Sequence, residues 1–115
     1  MRFVLDASVA LAWLLRDTDA RDEGYPSVAA TVPATWGLEI ANVIACSEAK
    51  ELVTAAQSGS FLSLLDSLAI EADTDTVTHV LSDTLQLARR YRLSSYDASY
   101  LELALREGAL LPVLI

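Results

Sequence analysis

Three acidic residues stand where a carboxylate is costly. Asp6 closes a short β-prone opening run, Glu39 interrupts an apolar helical pattern through Ile40, Ala41, Val43, Ile44 and Ala45, and Asp97 opens the last long helical pattern. An ionised carboxylate on an apolar face is unfavourable unless a cation, a hydrogen-bond donor or a metal compensates it. If the three converge, they repel one another. A hard divalent cation such as Mg²⁺ is the simplest remedy, because it takes oxygen ligands, keeps several waters and bridges carboxylates to phosphates. Each acid also has a plainer role. Asp6 can cap the helix that follows it. Asp97, three residues after Ser94, can complete a capping-box arrangement in the favourable field of a helix N-terminus. Glu39 can reach solvent or pair with an Arg. Asn42, one turn after Glu39, is spaced to orient it or a metal-bound water, or to satisfy backbone groups.

These residues must be positioned by alternating strands and helices. Residues 2–5 read as a strand, and 7–15 as a helix that is apolar almost all round and therefore buried. The acidic stretch 16–26 reads as a loop, and 31–34 as a second strand whose Pro33 confines it to an edge or an end. A helix over 36–51 follows. Thr54 is a fitting N-cap for the next helix, with Phe61, Leu62, Leu65 and Leu68 on its apolar face and Gly59 weakening its middle. Residues 69–72 read as a third strand. Val77, Val80, Leu81, Leu85 and Ala88 repeat at helical spacing and predict a helix buried on that face, with Asp73, Thr74, Asp75 and Thr76 at its start rather than in a cation loop. Ser94 or Ser95 caps a last helix that runs to Gly108, and 110–115 read as a final buried strand. This alternation predicts an α/β fold with parallel strands joined by crossover helices. In open sheets of that kind the site lies beyond the carboxyl ends of the strands, where Asp6 falls.

Composition bounds the function. A chain of 115 residues with 53% hydrophobic residues, four Gly and three Pro reads as one compact domain over 1–115 and not as a disordered or fibrous chain. The apolar run 7–15 is about half of the roughly 20 residues that cross a bilayer, and Asp6 with Arg16-Asp17 flanks it unlike a secretory signal, so no membrane role is expected. One cysteine, Cys46, forms no intrachain disulfide and suggests a cytoplasmic protein; its apolar helix predicts a buried, inert thiol. With one His and one Cys a zinc site is not expected, and His79, off its helix's apolar stripe, reads as a surface residue. Eight basic against sixteen acidic residues, net charge −8, exclude a protein that coats nucleic acid by bulk charge. Charge is uneven, however. Arg89, Arg90 and Arg92 cluster just before Asp97 and are candidates for steering a phosphate, or simply for complementing a helix C-terminus.

Three segments together resemble the PIN-domain family, most closely its VapC-type toxin ribonucleases: Phe3-Val4-Leu5-Asp6-Ala7-Ser8-Val9, Pro33-Ala34-Thr35-Trp36 leading into Leu38-Glu39-Ile40-Ala41-Asn42, and Leu93 to Ala104 with its Ser94-Ser95-Tyr96-Asp97-Ala98-Ser99-Tyr100 core. The resemblance implies a three-layer α/β/α sandwich around a central, mostly parallel sheet. It also implies an Mg²⁺- or Mn²⁺-dependent endoribonuclease of a toxin–antitoxin module, with Asp6, Glu39 and Asp97 as catalytic metal ligands and Ser8, Asn42 and Ser95 as supporting polar residues. Expected partners are an RNA substrate and a VapB-like antitoxin. A homodimer is expected too, from the apolar composition and the apolar first helix.

The sequence departs from the family pattern in one place. Where the family continues past its last strand with another acid and a helix, Leu111-Pro112-Val113-Leu114 is followed by Ile115. This departure predicts weakened cation binding and turnover. It leaves a rival expectation, a catalytically impaired module that keeps the dimer and antitoxin surfaces.

Overall fold

The computed structural model describes residues 3–7 and 30–109. The helix expected over 7–15, the loop over 16–26, Ser8 and the strand expected over 110–115 lie outside or almost wholly outside them. Strand β1 (Phe3–Val4), β2 (Ala30–Val32) and β3 (Ile70–Ala72) form one parallel sheet in the order β1-β2-β3, with Val4 opposite Thr31 and Thr31 opposite Glu71. Pro33 follows β2 directly. Having no N–H to give to a ladder, it closes the strand, which therefore ends two residues before the expected 34.

Helix α1 (Trp36–Ala49) starts at the corner after β2, and the Trp36 N–H donates to the Pro33 carbonyl at 3.0 Å. Its Thr35 N-cap makes no side-chain cap bond. Helix α2 (Ala55–Ser67) opens on a reciprocal capping box: the Gln57 N–H donates to Thr54 Oγ1 at 3.1 Å and the Thr54 N–H donates to Gln57 Oε1 at 2.8 Å. This satisfies two of the donors that a helix N-terminus leaves open. After β3 come α3 (Thr76–His79), a π-helical turn (Val80–Thr84) and α4 (Leu85–Tyr91), which stops where Arg92 turns left-handed at φ 54°. The last helix described, α5 (Ser95–Glu107), is capped by Ser94, whose Oγ accepts from the Asp97 N–H at 3.0 Å, and ends at Gly108 with φ 60°. A left-handed residue at that position is where glycine avoids the Cβ penalty.

The core gathers Val4, Ala7, Ile40, Val53, Phe61, Tyr100 and Leu103, while Leu5, Ala30 and Val32 form a second cluster along the sheet. Trp36 packs against both.

This architecture corrects the expected fold class. The described residues are mostly helical, and the sheet consists of three strands of two or three residues, not the central sheet of a PIN-like α/β/α sandwich. A parallel sheet covered on both faces needs continuous apolar strands. Here Val4 and β2 are buried, whereas β3 carries Glu71 and is largely open to solvent. Apolar burial is therefore carried chiefly by helices. The helix expected over Val77 to Ala88 is corrected as well. Val77 and Leu81 of its apolar stripe are exposed, Leu81 at 84%, and the residues buried instead are Thr76 at 2% and Thr84 at 1%. The π-helical turn adds a residue to the repeat and re-phases the faces. Thr76 also accepts from the Ala34 N–H and donates to Asp73, which holds its side inward.

Candidate acidic cleft

Asp6 follows β1, Glu39 lies in the first turn of α1, and Asp97 lies in the first turn of α5. Each is placed by a boundary that the local sequence sets: the end of a short strand, the helix that starts after Pro33, and the Ser94 cap. Together they line one cleft of about 640 Å³, with Thr35, Leu38, Asn42, Val43 and Tyr96 among its other walls. The three acids singled out from sequence thus come from chain segments more than thirty residues apart and share one solvent-open hollow.

The electrostatics of the cleft centre on Glu39. Burial pushes its carboxyl above the usual range, and the Asp6 and Asp97 charges push the same way. A hydrogen bond from Tyr100 opposes them: Tyr100 Oη donates to Glu39 Oε2 at 2.8 Å. The phenol itself is held well above its ordinary value, first by burial and then by Glu39, with a backbone hydrogen bond from Ala7 working the other way. Tyr100 therefore links α5 to Glu39 on α1 and sits beside the end of β1. Sequence reading assigned Tyr100 no role. The available signal was its spacing, three residues after Asp97 and so on a neighbouring face of the same helix.

The supporting residues divide. Asn42 lines the cleft one turn beyond Glu39, and its Oδ1 accepts from Cys46 Sγ at 3.8 Å. Ser95 is exposed at the start of α5 and does not line the cleft. Arg89, Arg90 and Arg92 are exposed and do not line it either; Arg90 lies over the Tyr91 ring at 5.4 Å and borders a separate hollow with His79 and Asp83. Cys46, expected buried, is exposed, because α1 turns Ile40 and Ser47 inward instead. His79, expected on the surface, is half-buried and paired through Nδ1 with Asp83 at 2.9 Å.

No protein-family model matches the chain, and no curated protein matches it significantly. The cleft is therefore read on its chemistry. Its donors are oxygens, burial and the Asp6 and Asp97 charges raise the proton affinity of Glu39, and a hard divalent cation would relieve that repulsion. Among the described residues no three Asp, Glu, His or Cys side chains stand close enough to enclose a metal ion. The set fits a cation of the Mg²⁺ kind, which is held through one or two carboxylates and otherwise by water, and does not fit a closed structural cage. Among the described residues no helix is long and apolar enough to cross a membrane.

Proposed function

We propose that the acidic cleft hydrolyses RNA phosphodiester bonds with Mg²⁺ or Mn²⁺, and that the chain acts as an endoribonuclease of the toxin–antitoxin kind that its three motifs resemble. The observation that carries this reading is the meeting of Asp6, Glu39 and Asp97 in one cleft, with Glu39 held above its usual range by burial and by the other two charges. The metal, when bound, supplies a Lewis acid that activates water and offsets charge at the phosphate. Asp6 and Asp97 would hold it. Tyr100 fixes Glu39 through Oε2, so the carboxylate keeps one orientation toward the cleft. With its proton affinity raised, Glu39 is suited to accept a proton from attacking water. Asn42 offers an amide along the same wall for orienting that water or a phosphate oxygen.

The same proposal includes a cytoplasmic location, a VapB-like antitoxin and a second copy of the chain. Exposed Leu38, Val77 and Leu81 support association through apolar surface. A second reading, a non-catalytic module with the same partners, is favoured by the absence, among the described residues, of three acids within ligating reach of one point.

Cleavage of a mixed tRNA and rRNA pool in Mg²⁺ or Mn²⁺, against EDTA and an Asp6→Asn control, separates the two. Metal-dependent cleavage that disappears in Asp6→Asn supports the hydrolase. Folded protein that cleaves nothing overturns it in favour of the module.

A further inference from the structure

Helix α5 carries a second set of polar side chains, Glu102 and Arg106, about half a turn around the helix from Asp97. Arg106 Nη1 and Nη2 donate to Asp73 Oδ1 and Oδ2 at 3.2 and 2.7 Å, and its Nε and Nη2 donate to Glu102 Oε2 and Oε1 at 2.8 and 3.0 Å. Asp73 and Glu102 side chains are 7% and 5% exposed, so this is a buried cluster rather than a solvated surface pair. The chain of bonds continues. Asp73 Oδ2 accepts from Thr76 Oγ1 at 2.7 Å, and Thr76 Oγ1 accepts from the Ala34 N–H at 3.2 Å. The Asp73 N–H meanwhile donates to the Val32 carbonyl at 2.7 Å.

Ala34 belongs to the corner from which α1 departs. That corner has no cap from its own Thr35, although Thr35 lines the acidic cleft and Glu39 follows one turn later. Thr76, 42 residues away in sequence, supplies the side-chain hydrogen bond there instead. Helix α5 is thus tied to α1 by Tyr100 and Glu39, and to the corner just before α1 by Arg106, Asp73, Thr76 and Ala34. Two ties about a third of a turn apart around one helix fix its rotation as well as its distance. The planar guanidinium suits this role, because its bidentate bonds fix geometry where an ammonium would act as a point charge.

We infer that Arg106 is a positioning residue for the acidic cleft, acting through Asp73 and Thr76 on the corner that launches α1 and so setting how Glu39 faces Asp97. The metal-binding consequence rests on the function proposed above; the geometric one does not.

Thr76→Val tests it, since it removes the hydroxyl and keeps a β-branched side chain. Thr54→Ala, which removes the α2 cap outside the network, is the control for loss of stability alone. Mn²⁺ affinity is read by paramagnetic relaxation, and backbone amide shifts are read by NMR well below each midpoint of unfolding. Substitutions along a coupling network change coupling by a factor between about 2 and about 30. Thr76→Val is expected to weaken Mn²⁺ binding within that range and to shift amides across residues 35–42 and 96–100, with Thr54→Ala changing neither. Arg106→Lys, which keeps the charge and loses the fork, is expected to change both in the same direction, and serves if Thr76→Val does not fold. Wild-type affinity and wild-type amide shifts in the folded variants would overturn the inference and leave only a stabilising network. If the wild-type chain binds no Mn²⁺, the functional reading fails by itself, and the amide shifts still decide the positioning role.

Discussion

Asp73→Asn, followed against pH, isolates the energy stored in the Arg106 cluster. The Arg106 guanidinium, with the Thr76 hydroxyl, holds the Asp73 carboxyl down to about 2 from an ordinary 3.8. At about 1.36 kcal/mol per pH unit, that lowering couples about 2 kcal/mol of stability to ionisation. Because the folded value lies below the unfolded one, this stability is fully present above 3.8 and is lost as pH falls toward 2. The side chain is 7% exposed, so solvent screening removes little of it. Asn cannot titrate. The stability gap between wild type and Asp73→Asn should therefore be about 2 kcal/mol or more at pH 7, narrower by about 1 kcal/mol at pH 3 and almost closed in its ionisation-linked part at pH 2. Urea unfolding followed by circular dichroism at each pH measures it. Relief of the general repulsion in a chain of net charge −8 is common to both proteins and cancels in the difference. A gap that stays constant from pH 7 to pH 2, or that widens on acidification, would refute the reasoning.

Tyr100→Phe removes one hydroxyl from a residue 1% exposed, and a hydrogen bond to a charged group contributes about 1.5 to 3 kcal/mol, so urea unfolding at pH 7 should show a loss of that size. Carbon-detected NMR titration of the Glu39 carboxyl in the same variant should move upward, because the lost donor favoured the ionised form; no movement would mean that the bond is not made in solution. Glu39→Gln should gain stability relative to metal-free wild type as pH rises from below the ordinary 4.5 through the raised value, since burial and the Asp6 and Asp97 charges penalise only the ionised form; thermal unfolding at pH 4 and pH 8 supplies the comparison. Thr54→Ala opens the α2 capping box and should cost about 1 kcal/mol in urea unfolding at any pH between 5 and 8, as neither partner titrates there.

Local signals were legible where a single residue closes a hydrogen-bonding problem. Thr54, Ser94 and Gly108 are a cap, a cap and a helix stop, and each occupies the position that its side chain, or the lack of one, suits. Asp6, Glu39 and Asp97 were legible as candidates because their charge conflicts with an apolar or helix-opening context, and they do line one cleft. Burial was less legible. Val77 and Leu81 obey helical spacing yet face solvent, because hydrophobic periodicity does not register the extra residue of a π-helical turn or the pull of Thr76 toward Asp73. The sandwich expectation failed for a related reason. Alternating strand-like and helix-like runs carry no measure of how many residues pair, and here each strand pairs over two or three.

By itself the chain's sequence determined where β2 ends, where α2 and α5 begin, where α5 stops and which carboxylates are out of place, since caps, prolines and charge are properties of neighbours within one turn. Only the tertiary structure decided that Tyr100 holds Glu39, that Thr76 caps a corner 42 residues away, and that Arg106 joins Asp73 to Glu102. Such bonds depend on the distance between segments after packing. No spacing along the chain encodes that distance, because it follows from how the helices settle on Val4, Ile40, Phe61 and Leu103.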